Sequence, residues 1–117
     1  MITPRLREII NLIKSDSIAD IGTDHAYIPI ELARKGLIKK AVATDKNKGP
    51  IEIAEANVHK YHLENIIELR IGSGLAPVKK GEAKEIIIAG MGGKLIADII
   101  EKDIEKAKVS ELILQPM

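Results

Sequence analysis

A chain of 117 residues, 45% hydrophobic and 30% charged, is a single domain with one core. It holds no Cys, which excludes a disulfide framework, a thiolate nucleophile and a Cys-ligated zinc site; it holds no Phe or Trp, so Ile, Leu, Val and Ala must build the core and no aromatic platform exists for single-stranded nucleic acid. A net charge of +1 gives no general attraction to nucleic acid and leaves that role to local Lys and Arg clusters.

Thr3-Pro4 opens the first helix, an N-cap hydroxyl followed by Pro, and Leu6, Ile9, Ile10 and Ile13 give it one apolar face. Arg5, Arg7 and Glu8 interrupt that stretch, so it does not read as a signal peptide, and no run reaches membrane-spanning length; a cytoplasmic protein is expected. Ile18 to Ile21 reads as the first strand, and helical spacing over Ile30 to Lys35 stops at Gly36. Ala41 to Thr44 is the second strand. Pro50 then opens a helix with Ile51, Ile53, Ala54 and Val58 on its apolar side, ending near Tyr61. Ile66 to Ile71, Glu85 to Ala89 and Glu111 to Leu114 complete the strands, with Leu95, Ile96, Ile99, Ile100 and Ile104 marking a helix between the last two. Short apolar strands alternating with amphipathic helices predict an α/β fold, a parallel sheet covered on both faces. Right-handed crossovers and the first turn favour a doubly wound sheet of about five strands in the order 3-2-1-4-5. Residues 1–117 read as one such domain, with no repeat and no linker.

Ligands of such sheets sit beyond the carboxyl ends of the strands. There the first strand is followed by Gly22-Thr23-Asp24-His25, the second by Asp45, the third by Gly72-Ser73-Gly74 and the fourth by Gly90-Met91-Gly92-Gly93. Gly and Asp are common in any turn, but four consecutive strands ending in glycine or carboxylate at one rim point to a site. Asp20 and Asp24 flank Gly22, and Asp45 follows at roughly the 20-residue spacing that places an acid on a ribose. A dinucleotide loop needs G-x-G-x-x-G to receive a pyrophosphate at a helix N-terminus. Asp24 in that loop repels a pyrophosphate and suits the cationic sulfonium and amino group of S-adenosylmethionine. Asp20-x-Gly22 also starts the D/E-x-G-x-G-x-G pattern of class I methyltransferases, without its later glycines.

Ala19-Asp-Ile-Gly-Thr-Asp-His-Ala-Tyr27, Gly49-Pro50, Gly72-Ser-Gly-Leu75, Ile88-Ala-Gly-Met-Gly-Gly93 and Leu114-Gln-Pro116 follow one another as the motifs of a known family do. The chain resembles the TrmK family, bacterial S-adenosylmethionine-dependent tRNA methyltransferases acting on N1 of adenine 22, from about Arg5 to its last residue. The resemblance implies a Rossmann-like class I methyltransferase domain lacking the C-terminal strands and helical domain that help such enzymes hold tRNA. It implies that Gly22 and Thr23 set the turn against the methionine part of the donor, with Asp20 or Asp24 facing its ammonium group. Asp45 would accept from the ribose hydroxyls, with Lys46 beside it, and Gly72, Ser73, Gly74 and Leu75 would line the adenine, Leu75 as apolar cover. Ser73 stands where the family commonly carries Asp or Asn. Ala89, Gly90 and Met91 would form the wall between donor and target base; Asp24 and Tyr27 are the candidate catalytic pair, and His25 would touch donor or target.

Each role has a plainer competitor. Asp45 caps a helix, Tyr27 packs at a helix start, His25 bonds a neighbouring carbonyl, and His59 and His62 are solvated. No metal is expected, because adjacent Asp24 and His25 make a poor ligand set. For tRNA, Lys46 and Lys48 at the rim are better phosphate partners than Lys39-Lys40 or Lys79-Lys80, and binding by this chain alone should be weak. The exposed edge of the fifth strand offers pairing to a second copy. A methyltransferase of another substrate and a non-catalytic nucleotide-binding module remain open as alternatives; a dehydrogenase is disfavoured by the loop charge.

Overall fold

A computed structural model describes residues 2–117. Its elements run α1 (Pro4–Leu12), β1 (Ser17–Ile21), α2 (Tyr27–Arg34), β2 (Lys40–Asp45), α3 (Lys48–Lys60), β3 (Ile67–Ile71), β4 (Glu85–Met91), α4 (Gly93–Lys102), α5 (Ile104–Ala107) and β5 (Glu111–Pro116). The five strands form one sheet in the order β3-β2-β1-β4-β5, every neighbouring pair parallel, as the alternating pattern and the first turn predict. None of its helices, among the described residues, is long and apolar enough to cross a membrane.

Alternation along the strands divides the core between the two faces. Ile18, Ala41, Ala43 and Ile87 point to the side covered by Ile9 and Ile10 of α1, Ile30 and Leu32 of α2, and Ala54 and Val58 of α3. Ala19, Ile21, Val42, Ile86 and Ile88 point to the other side, under Leu75, Val78, Ile96 and Ala107. Aliphatic side chains alone fill both layers, each fully buried Ile or Leu contributing about 2 kcal/mol of transfer free energy.

Helix boundaries depart from the sequence reading for local reasons. α3 begins at Lys48, two residues before Pro50; Pro is tolerated there because first-turn amides have no intrahelical partner. The helix expected to reach Ile104 breaks at Asp103 (φ −127°, ψ 45°), and α5 turns so that Ala107 enters the core. Lys106 is drawn along with it, its Nζ donating to the carbonyls of Leu75 (2.9 Å) and Ala76 (3.2 Å).

Two carboxylates tie the frame together. Glu85, buried at the start of β4, accepts from the amides of Lys14 (2.9 Å) and Ser15 (2.5 Å) and so fixes the α1–β1 turn. Glu82 takes a two-pronged contact from Arg70 of β3, Nη1 at 2.8 Å and Nη2 at 2.6 Å, while Arg70 Nη1 also reaches the Pro77 carbonyl at 2.7 Å. The Arg70 hydrogen bonds hold the Glu82 carboxyl down at about 2.

Candidate functional site

β1 ends at Ile21, and Gly22 turns the chain with φ +68°, a conformation only Gly takes without strain. Asp24 (φ 59°) and Ala26 (φ 65°) also lie in the left-handed region. The loop keeps these conformations because its amides are tied down. Thr23 N donates to the Thr44 carbonyl at 2.7 Å, Asp24 N to Asp45 Oδ2 at 3.2 Å and Ala26 N to the Thr23 carbonyl at 3.1 Å. The first turn is thus laced to the end of the neighbouring strand β2.

Asp20 is 4% exposed and accepts from Thr23 Oγ1 at 2.7 Å. Burial pushes its carboxyl up to about 7; the Thr23 hydroxyl opposes that rise, and the charge of Asp45 adds to it. Asp45 Oδ1 accepts from Asn47 N at 3.0 Å, so both carboxylate oxygens organise backbone while each retains a lone pair. Asp45 does not cap α3, whose N-cap is Asn47 without a side-chain cap bond; it closes the turn before the helix and stays free to accept from a ligand as well.

A cleft of about 720 Å³ opens over the carboxyl ends of β1–β4. Asp20 of β1, Gly22, Thr23 and Asp24 of the turn after it, and Tyr27 at the start of α2 line it, with Asp45 and Lys46 at the end of β2, Gly72, Ser73 and Gly74 after β3, and Ala89, Gly90 and Met91 of β4. Two of the expected residues lie elsewhere. Leu75 is not apolar cover for a ligand: its side chain is wholly buried under the sheet, where Gly74 (φ +56°) turns it inward and burial stabilises it. His25 is outside the cleft wall. Its Nδ1 lies 3.1 Å from Tyr27 Oη, its ring meets the Tyr27 ring edge-on (centroids 5.4 Å apart), and its carbonyl accepts from Asn57 Nδ2 at 3.0 Å.

The floor of the cleft is tight. A Cβ at Gly22 would stand 2.5 Å from Met91 Cε. β4 bulges between Ala89 and Met91, whose partners on β5 are Gln115 and Pro116, and the bulge carries Gly90 (φ +74°) out toward the cleft. Above Gly90 lies the guanidinium of Arg5, Nη1 at 3.4 Å from where a Cβ would be. Arg5, with Thr3 and Leu6, brings α1 into the cleft wall, as Leu95 and Ile99 bring α4. Sequence reading missed Arg5 because it belongs to a helix preceding the first strand and carries no motif. Thr44, fully buried beneath the cleft, has a hydroxyl with no partner among the described residues.

Four of the other candidate cations lie within ion-pair distance of neighbouring acids. Lys48 pairs with Glu52 at 3.8 Å, Lys39 with Asp16 at 4.0 Å, Lys40 with Glu82 at 3.6 Å and Lys80 with Glu105 at 4.0 Å. His59 bonds Glu64 at 2.7 Å on the surface. A larger groove of about 930 Å³ runs between α3 and β3, lined by Lys39, Glu52, Glu55, His59 and Glu64. It lies at the opposite end of the strands from the glycine turns and gathers solvated charges of both signs, so the chemistry is assigned to the rim cleft. Three carboxylates there offer acceptors to hydroxyl and cationic groups and repel a pyrophosphate.

The methyltransferase domain family matches residues 2–117. A tRNA (adenine(22)-N(1))-methyltransferase of Bacillus subtilis is 42% identical over 117 residues, which are 98% of this chain and 49% of the relative. A Streptococcus pneumoniae protein solved with S-adenosyl-L-methionine superposes with a TM-score of 0.94 at 41% identity, over 99% of this chain and 56% of its own. TrmK from M. capricolum, solved with S-adenosyl-homocysteine, gives a TM-score of 0.83 at 40% identity, over 91% of this chain and 49% of its own. The chain thus spans about half the length of the proteins it resembles, and the likeness falls on their Rossmann-like part.

Proposed function

We propose, from the premise that this chain belongs to the methyltransferase domain family, that it is the donor-binding domain of an S-adenosylmethionine-dependent methyltransferase acting on N1 of adenine 22 in tRNA. The observation that carries this reading is the rim cleft, in which Asp20, Asp24 and Asp45 converge around the Gly22 turn. That charge pattern fits a donor with a sulfonium, an ammonium and a ribose, and the glycine turn leaves the close approach that a Cβ would close. The relatives solved with donor or product share this fold at about 40% identity.

When bound, the donor would supply an electrophilic methyl group, passed to the N1 lone pair of adenine as the bond from the sulfonium sulfur to the methyl carbon breaks and S-adenosylhomocysteine leaves, so no strong base is required. The chain's part is positioning and charge. Gly22 and Thr23 hold the turn against the amino-acid end, Asp20 offers its carboxylate to the ammonium, and Asp45 accepts from the ribose through its free lone pairs. Gly72, Ser73 and Gly74 border the adenine, with Lys46 at the mouth, and Ala89, Gly90 and Met91 separate donor from target. Asp24, with 69% of its side chain exposed, faces the base that becomes cationic on methylation. Tyr27 orients that base, and the His25 contact fixes the Tyr27 hydroxyl.

The setting is cytoplasmic. Lys46 is the rim cation for tRNA phosphate. Calorimetry with S-adenosylhomocysteine and with NAD tests the donor, and binding of NAD alone overturns the reading. Incubation with labelled donor and unmodified tRNA tests the acceptor. We expect donor binding but little tRNA methylation from these 117 residues; labelling of another acceptor and never of tRNA would redirect the substrate.

A further inference from the structure

We infer that Arg5 is a donor-positioning residue, its guanidinium binding the carboxylate of the donor's amino-acid end. The inference rests on the donor reading above and adds an anion site to it. Of the charged side chains lining the cleft, three are acids (Asp20, Asp24, Asp45) and two are cations, Arg5 and Lys46. The acids match the cationic centres and hydroxyls of the donor and leave its one carboxylate without a partner.

Position chooses between the two cations. The strand order places β3, β2, β1 and β4 side by side, so their carboxyl ends span roughly 14 Å at the usual strand spacing. An adenine beside Gly72 to Gly74 of β3 and a ribose on Asp45 of β2 direct the amino-acid end across Gly22 of β1 toward β4. Lys46 follows Asp45 at the ribose. Arg5 stands over Gly90 at the far end, its Nη1 3.4 Å and Nη2 3.7 Å from where a side chain would begin. Among the described residues Arg5 makes no ion pair and no side-chain hydrogen bond, in contrast to Arg7, two residues further along α1, which reaches Glu31 of α2 at 3.1 Å. A planar fork of donors at this place matches a carboxylate in two-pronged geometry.

The test is calorimetric titration of the wild-type chain, Arg5→Gln and Arg5→Lys with two ligands: S-adenosylhomocysteine and its decarboxylated analogue, which keeps the amine and lacks the carboxylate. Arg5→Gln should weaken S-adenosylhomocysteine by about 10-fold or more, as a lost charge-assisted pair does, and leave the analogue unchanged. Wild type should bind the analogue more weakly by a similar factor, and Arg5→Lys should recover part of the loss. Thermal melts of the three proteins should coincide, since the side chain is exposed. An equal loss for both ligands, or no loss for either while wild type binds S-adenosylhomocysteine, overturns the role of Arg5 alone. Wild type failing to bind S-adenosylhomocysteine overturns the donor reading and this inference with it.

Discussion

Gly22→Ala separates the backbone demand of the first turn from the space it leaves for a ligand. Gly22 has φ +68°, and an L side chain in that region costs about 1–2 kcal/mol, partly offset by the stiffer unfolded chain that Ala gives. A net loss near 1 kcal/mol lowers the melting temperature by roughly 5 °C in a domain of this size. The new Cβ would also lie 2.5 Å from Met91 Cε, against a normal carbon–carbon contact of about 3.5–4.0 Å. The methionine end is flexible, so it moves at small cost, and the open space beside it is the cleft. Gly22→Ala should therefore weaken S-adenosylhomocysteine by about 10-fold or more in calorimetry, beyond what the modest loss of stability explains. Adding Met91→Ala removes the displaced methyl and should restore most of the affinity while leaving the melting temperature depressed. Unchanged affinity in Gly22→Ala would refute the placement of the donor over this turn; a double variant that stays weak would show that the backbone, and not Met91, transmits the effect.

Asp45→Asn keeps one acceptor for the Asn47 and Asp24 amides but turns the other position into a donor, so it should lose about 1–2 kcal/mol in melting and bind S-adenosylhomocysteine at least about 10-fold more weakly. For Asp20 the folded carboxyl sits at about 7, above its ordinary 3.8, so the folded chain holds a proton that the unfolded chain releases. Stability should accordingly fall as pH rises from about 4 to about 7 and level off above, with Asp20→Asn flattening that slope in pH-dependent melts; a slope unchanged in Asp20→Asn would remove Asp20 as its source. Glu82 has the opposite sign: held at about 2, below its ordinary 4.5, it contributes stability above about pH 4.5 that disappears as pH falls toward 2. Glu82→Gln should cost on the order of 2 kcal/mol at pH 7, because Arg70 keeps Glu68 and the Pro77 carbonyl, and the difference from wild type should vanish in acid.

Much of the rim could be read from the chain because parallel strands joined by right-handed crossovers put every carboxyl end on one side, so any residue following a strand is there by topology. That is why Gly22, Asp45, Gly72 and Gly90 fell together without knowledge of a single contact. Residues that act from outside those loops had no such signature. Arg5 lies in a helix whose periodicity announces only an apolar face, and Glu85 looks like an ordinary charged start to a strand although it is buried on two amides. Leu75 shows the limit from the other direction: it sits among rim residues in sequence, yet its side chain gains more from the core than from the cleft and turns inward.

The sequence by itself therefore determined the parallel sheet, its strand order and the chemistry gathered at its rim, since period, turn chemistry and handedness are local properties that act the same in any chain. Tertiary structure decided which carboxylates are buried, how Asp20 acquires a carboxyl near 7, and that α1 lays a guanidinium over Gly90 at the far end of the cleft. Those outcomes depend on desolvation and on contacts between segments far apart in the chain, which no local pattern encodes.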